Sequence, residues 1–187
     1  IYHCHGSVDI TGKKELLDND EIQALAGGEF KFNIERVKNE NGDAYTGNKD
    51  ETISKKQVSN DEDGVFTFHI SYKNLDFTAK DHYTFYYKIT EENSGRVIKG
   101  ITYNQENKEY IIKVVVTDNE DGTYTIVKSL VNGEQINFVN TVNASGETSI
   151  IGHKSLTGKD LEENEFAFTI QETDDQYNVC LLYTSDA

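Results

Sequence analysis

Three side chains stand where polar groups are least expected: Lys14, Glu91 and Asn140. Each falls on the apolar face of an alternating run. Val8, Ile10, Gly12, Lys14 and Leu16 share one face, as do Phe85, Tyr87, Ile89 and Glu91, and as do Ile136, Phe138, Asn140 and Val142. In an extended strand, residues two apart point the same way, so the apolar members mark the inward direction. Lys13, Glu92 and Asn137 fall on the opposite faces. An apolar pocket disfavours charge, lowering the pKa of a lysine and raising that of a glutamate. A neutral amine can attack a carbonyl carbon, and a protonated carboxyl can work as a general acid–base group. The same three groups can also form a buried, hydrogen-bonded ion pair, because buried Lys and Glu are rare unless paired.

Other chemistry-bearing clusters are weaker. His3-Cys4-His5 lacks a second ligand pair at zinc-finger spacing, so no metal is expected. Asp61-Glu62-Asp63-Gly64 and Asp118-Asn119-Glu120-Asp121-Gly122 are acidic, but neither fits the twelve-residue calcium loop, and hairpin turns account for them. No nucleophile–His pair, phosphate loop or paired catalytic carboxylate is recognisable, which argues against a turnover enzyme. A disulfide between Cys4 and Cys180 is formally open. The segment 180–187 resembles a translated sequencing adaptor and reads as non-native, which would remove Cys180 from that pairing.

The elements that must position the trio are strands. Val, Ile, Thr, 11 Tyr and 9 Phe favour them, and Trp is absent. Period-two runs cover Val8–Leu16, Glu29–Glu35, Gly64–Ser71, His82–Glu91, Tyr110–Thr117, Thr123–Val131 and Ile136–Val142. Seven such runs with turn signals between them predict an antiparallel, immunoglobulin-like sandwich. Asp121-Gly122 predicts a hairpin turn. Asp18–Gly27 predicts a short helical turn.

The chain has 187 residues and a formal net charge of −15, a balance that repels nucleic-acid phosphates and anionic lipid surfaces. No apolar run is long enough to span a membrane. With no initiator Met, residues 1–6 read as a truncated end. The chain also repeats itself. Ile10–Leu16 matches Ile150–Leu156, and Glu29–Glu35 matches Glu165–Gln171, so the offset falls from 140 to 136. This predicts a complete domain at 7–143, a linker at 144–148 and a second copy at 149–179 that is cut off after about two strands. Lys14 recurs as Lys154, whereas Lys13 is replaced by His153.

Five elements in order carry a family resemblance. They are Gly12-x-Lys14-x-Leu16, Glu29-Phe30-x-Phe32, the run Tyr83–Glu91, Gly100-Ile101-Thr102-Tyr103 and Phe138-Val139-Asn140. Over residues 7–143 the chain resembles the isopeptide-linkage domain of Gram-positive pilins, of the major-pilin type. The resemblance implies that Lys14 and Asn140 join in a side-chain amide bond, helped once by Glu91 as proton shuttle, with Lys154 the candidate lysine of the second copy. It implies no cofactor. It places the chain outside the cell, in a wall-attached pilus or repeat-stalk adhesin. Its partners would be neighbouring repeats, other pilin subunits joined by a sortase, or a host surface ligand. There is no Pro, hence no proline-containing pilin motif, and no sorting signal is present. Polymerised pilin and long stalk both stay open, as does a host-binding module with a non-covalent triad.

Overall fold

A computed structural model describes residues 4–143, 149–171, 173 and 176. Its first unit, Ile1–Gly146, is an all-β sandwich over its described residues 4–143. One sheet contains β1 (His5–Asp18), β2 (Glu21–Ile22), β4 (Glu51–Ile53), β6 (Val65–Lys73), β8 (Val97–Ile98), β9 (Ile101–Thr102) and β12 (Asn137–Val142). The other contains β3 (Lys31–Val37), β5 (Gln57–Ser59), β7 (His82–Glu91), β10 (Tyr110–Asp118) and β11 (Tyr124–Leu130). Strand order is β4-β6-β1-β12-β9-β8 in the first sheet, with β2 on β1, and β11-β10-β7-β3-β5 in the second.

The alternation that marks the strands also fills the core. Ile10 and Leu16 of β1, Phe66, Phe68 and Ile70 of β6, and Phe138 of β12 are buried in one sheet. Phe32 and Ile34 of β3, Phe85, Tyr87 and Ile89 of β7, and Val114 of β10 are buried in the other. Phe32 stacks on Phe66 with ring centroids 3.8 Å apart, and Phe138 lies 5.4 Å from Phe32. Such side chains, meeting between sheets about 10 Å apart, supply most of the burial free energy. Gly12 faces this layer because a β-carbon there would collide with the Phe66 ring and with Ile136.

All seven expected strands form, β7 with its expected ends and the others with one or both ends shifted by one to three residues. Five further strands, of two or three residues each, are too short to show a period. The helical turn expected over Asp18–Gly27 is overturned. Asn19 and Asp20 take φ of 49° and 65°, and the chain folds straight back as β2 on β1, with Gln23 N donating to Leu16 O at 2.8 Å. Two successive left-handed residues make a tight hairpin, and Asn and Asp tolerate that conformation well. The hairpin expected at Asp121-Gly122 joins β10 to β11 through a longer turn, with Glu120 and Gly122 both at positive φ.

One pairing departs from an antiparallel sandwich. β1 and β12 run parallel, with Lys14 opposite Phe138 and Leu16 opposite Asn140. The first and last long strands of the domain are thus immediate neighbours. The second unit, 147–187, holds no strand among its described residues 149–171 and exposes Ile150, Ile151, Phe168 and Ile170.

Candidate functional site

β1 and β12 put Lys14 and Asn140 on one inward face, one diagonal step apart across the parallel pair. Glu91 reaches them from the end of β7 in the facing sheet. All three are buried: Lys14 is 1% exposed, Glu91 4% and Asn140 0%. Glu91 Oε1 lies 2.9 Å from Lys14 Nζ and accepts a hydrogen bond from Asn140 Nδ2 at 3.0 Å. One carboxylate oxygen therefore touches both the amine and the carboxamide nitrogen.

Asn140 Oδ1 accepts a 2.8 Å hydrogen bond from the backbone N–H of Asn104. A backbone N–H can only donate, so this contact fixes which end of the carboxamide is oxygen. Asn104 itself is 2% exposed and was not visible from sequence, because its main chain, not its side chain, makes the contact. The one signal available was an Asn four residues before Lys108 in a turn-rich stretch; its side chain closes that turn by accepting from Lys108 N and donating to Lys108 O.

The surroundings are aromatic. Lys14 Nζ sits 4.8 Å from the centre of the Phe30 ring, which meets Tyr103 edge-on, and Phe138, two residues before Asn140 on β12, stands opposite Lys14. Nζ approaches Glu91 closely, yet neither Nζ nor Glu91 Oε2 has a well-directed hydrogen-bond partner. Burial pulls the Lys14 ammonium from 10.5 down to about 8, opposed by the Glu91 charge. Burial likewise raises the Glu91 carboxyl, opposed by Lys14 and by the hydrogen bond from Asn140. Both shifts favour the uncharged forms.

The backbone beneath Lys14 is held by a turn. Lys14 N donates to Gly64 O at 2.7 Å, and a β-carbon at Gly64, where φ is 78°, would strike Lys14 O. Asp61 Oδ1 closes that turn by accepting from Asp63 N and Val65 N. In the other acidic loop, Asp118 accepts from Glu120 N, and Asp121 from Thr123 N and Oγ1. These carboxylates cap turns, and among the described residues no three His, Cys, Asp or Glu side chains converge as metal ligands. Cys4 Sγ lies 3.7 Å from Asp118 Oδ1; His3 and Cys180 are outside the described residues.

In the second unit, Lys154 Nζ lies 4.7 Å from the centre of the Phe166 ring. That contact reproduces Lys14 over Phe30, at the residues the internal repeat aligns.

The shifted lysine has a thermodynamic consequence in any variant where its amine stays free. In Asn140→Ala, between about pH 8 and the ordinary value of 10.5, the unfolded chain binds a proton that the folded chain has released. Stability should therefore rise with pH across that window, and the cost of burying the ammonium should be fully present below it. Denaturant midpoints for Asn140→Ala, set against Lys14→Met/Asn140→Ala, isolate this slope. Equal slopes in the two proteins would contradict it.

Residues 10–143 match the family described as FctA, Spy0128-like isopeptide containing domain. Among solved structures, a mutant of the major pilin from Streptococcus pyogenes is similar at 21% identity and a TM-score of 0.44, covering 72% of this chain and 50% of that one. The T-13 major pilin protein from Streptococcus pyogenes is similar at 21% identity and a TM-score of 0.41, covering 75% and 54%. The chain thus spans about half the length of these pilins. No curated protein matches it.

Proposed function

The chain belongs to the Spy0128-like isopeptide containing domain family, and from that membership and the buried triad we propose that it is a structural segment of a Gram-positive pilus or surface stalk. In this reading its sandwich is closed by an amide bond between Lys14 and Asn140, formed once by the domain itself. The observation that carries the proposal is the position of Glu91 Oε1, in contact with both the attacking and the departing nitrogen.

The reaction balances without a cofactor. Uncharged Lys14 Nζ attacks Asn140 Cγ, while protonated Glu91 gives its proton to Nδ2 and recovers one from the attacking amine. The Cγ–Nδ2 bond then breaks and ammonia leaves. Burial raises the share of uncharged amine, and Glu91 Oε1 holds both nitrogens within 3.0 Å of itself, which replaces a bimolecular encounter with an intramolecular one. The unreacted triad leaves buried Nζ and Oε2 without directed partners, a costly arrangement. An amide retains one N–H, enough to satisfy the glutamate, and carries no charge. Such chemistry is maturation rather than turnover.

Its partners in this reading are neighbouring repeats and other subunits of a surface fibre, with Lys154 serving the second copy as Lys14 serves the first. The domain boundaries we propose are 7–143 for the first copy and 149–179 for the second. The test is intact mass of the recombinant chain. It should be lighter by one ammonia, and Lys14→Ala should restore full mass; full mass in the wild type would refute the proposal.

A further inference from the structure

A peptide N–H aimed at a reacting carbonyl oxygen is a catalytic device when its position is fixed before the reaction begins. Asn140 Oδ1 gains negative charge as an amine adds to Cγ, and Asn104 N–H already points at it from 2.8 Å. The donor is buried, so water does not weaken the interaction.

The turn that presents this N–H is clamped at both ends. Asn104 has a φ of 36°, a left-handed conformation that Asn accepts more readily than most residues. Its side-chain Nδ2 donates to Ser94 Oγ at 2.8 Å and to Lys108 O at 3.0 Å, while its Oδ1 accepts from Lys108 N at 3.1 Å. Ser94 Oγ in turn donates to the main-chain carbonyl of Glu91 at 3.0 Å. One short network therefore ties the N–H that faces the carboxamide oxygen to the strand end carrying the acid that faces the carboxamide nitrogen.

We propose that Asn104 supplies a one-donor oxyanion hole for amide-bond formation, its backbone N–H stabilising the charge on Asn140 Oδ1 and its side chain, with Ser94, holding that N–H in place. The proposal rests on the Lys14–Asn140 reading above. The balance is unchanged: Lys14 Nζ bonds to Cγ, the electron pair of the carbonyl moves to Oδ1 and returns, and Nδ2 leaves as ammonia with the proton relayed by Glu91.

Removing one such donor in acyl-transfer enzymes slows catalysis about 10²–10³-fold. A substitution that displaces the N–H without deleting it should slow bonding by at least about tenfold on the same scale. The experiment synthesises wild type, Asn104→Ala and Ser94→Ala into denaturant, starts refolding by dilution, and follows folding by circular dichroism and bonding by mass over time. Both variants should fold and then lose ammonia more slowly than wild type, Asn104→Ala the slowest. A purely structural role would alter folding but not the rate of the later step. Wild-type bonding rates in folded Asn104→Ala would overturn the proposal; if that variant does not fold, a wild-type rate in Ser94→Ala would overturn it. A second readout uses unreactive Lys14→Ala, in which a scalar coupling should connect Asn104 N to Asn140 Cγ; its absence would also overturn the proposal. Loss of no ammonia by wild type would instead sink the underlying cross-link.

Discussion

Glu91→Ala should keep the full mass of the chain and fail to hold a stable fold at 37 °C. Two losses coincide. Without the proposed cross-link, the closed loop from Lys14 to Asn140 would be gone, and the chain-entropy model for a loop of about 100 residues assigns roughly 4–5 kcal/mol to that closure. Without Glu91, Lys14 also loses the one carboxylate it touches in a core where both side chains are 0% exposed. Breaking a buried pair by removing one partner costs about 3–5 kcal/mol. Either loss is comparable with the total stability of an ordinary domain, about 5–15 kcal/mol. Glu91→Gln separates folding from chemistry: an amide can still bond Asn140 but cannot carry the proton. It should fold, retain full mass and melt well below wild type. A Glu91→Gln protein that loses ammonia at the wild-type rate would remove the glutamate from the mechanism.

Pulling on the two ends of residues 5–143 should extend the wild-type domain very little. β1 and β12 are adjacent and parallel, so a bond between Lys14 and Asn140 ties the first long strand to the last. Force then passes along β1 to Lys14, across the amide, and out through the last two residues of β12. The stretch of β1 before Lys14 can peel from β6, its antiparallel neighbour, and Thr141 and Val142 can peel from β9. With that proposed bond in place, everything from β2 to β11 would lie inside the covalent loop and be shielded. Lys14→Ala removes the shield, and its force–extension trace should show the whole domain unravelling. Equal extensions for the two proteins in single-molecule pulling would show that no covalent path joins the strands.

The burial of the three polar side chains is legible in sequence because strand geometry has a period of two. Once Ile10 and Leu16 fix the inward face of β1, Lys14 has no other direction to point, and the same logic holds for Glu91 beside Ile89 and Asn140 beside Phe138. Long strands are legible for that reason also. Five strands of two or three residues are not, since two residues define no alternation. The β1–β12 register is illegible for a different reason. It depends on which strands become neighbours across the whole domain, and local pattern carries no information about partners distant in sequence. Asn19-Asp20 is read wrongly because a polar, acidic stretch suits a helix start and a left-handed hairpin equally well. Asn104 escapes because its contribution is a peptide N–H, a group every residue but proline shares. Side-chain type reveals a positioned N–H only indirectly, here through an Asn that tolerates φ of 36° and can bridge Ser94 to Lys108.

Digestion of the wild-type protein followed by tandem mass spectrometry tests the covalent reading most directly. A single branched peptide is expected, carrying the β1 segment around Lys14 and the β12 segment around Asn140, with fragment ions that place the join between Lys14 Nζ and Asn140 Cγ. Recovery of those two segments only as separate peptides, each at its unmodified mass, would contradict it.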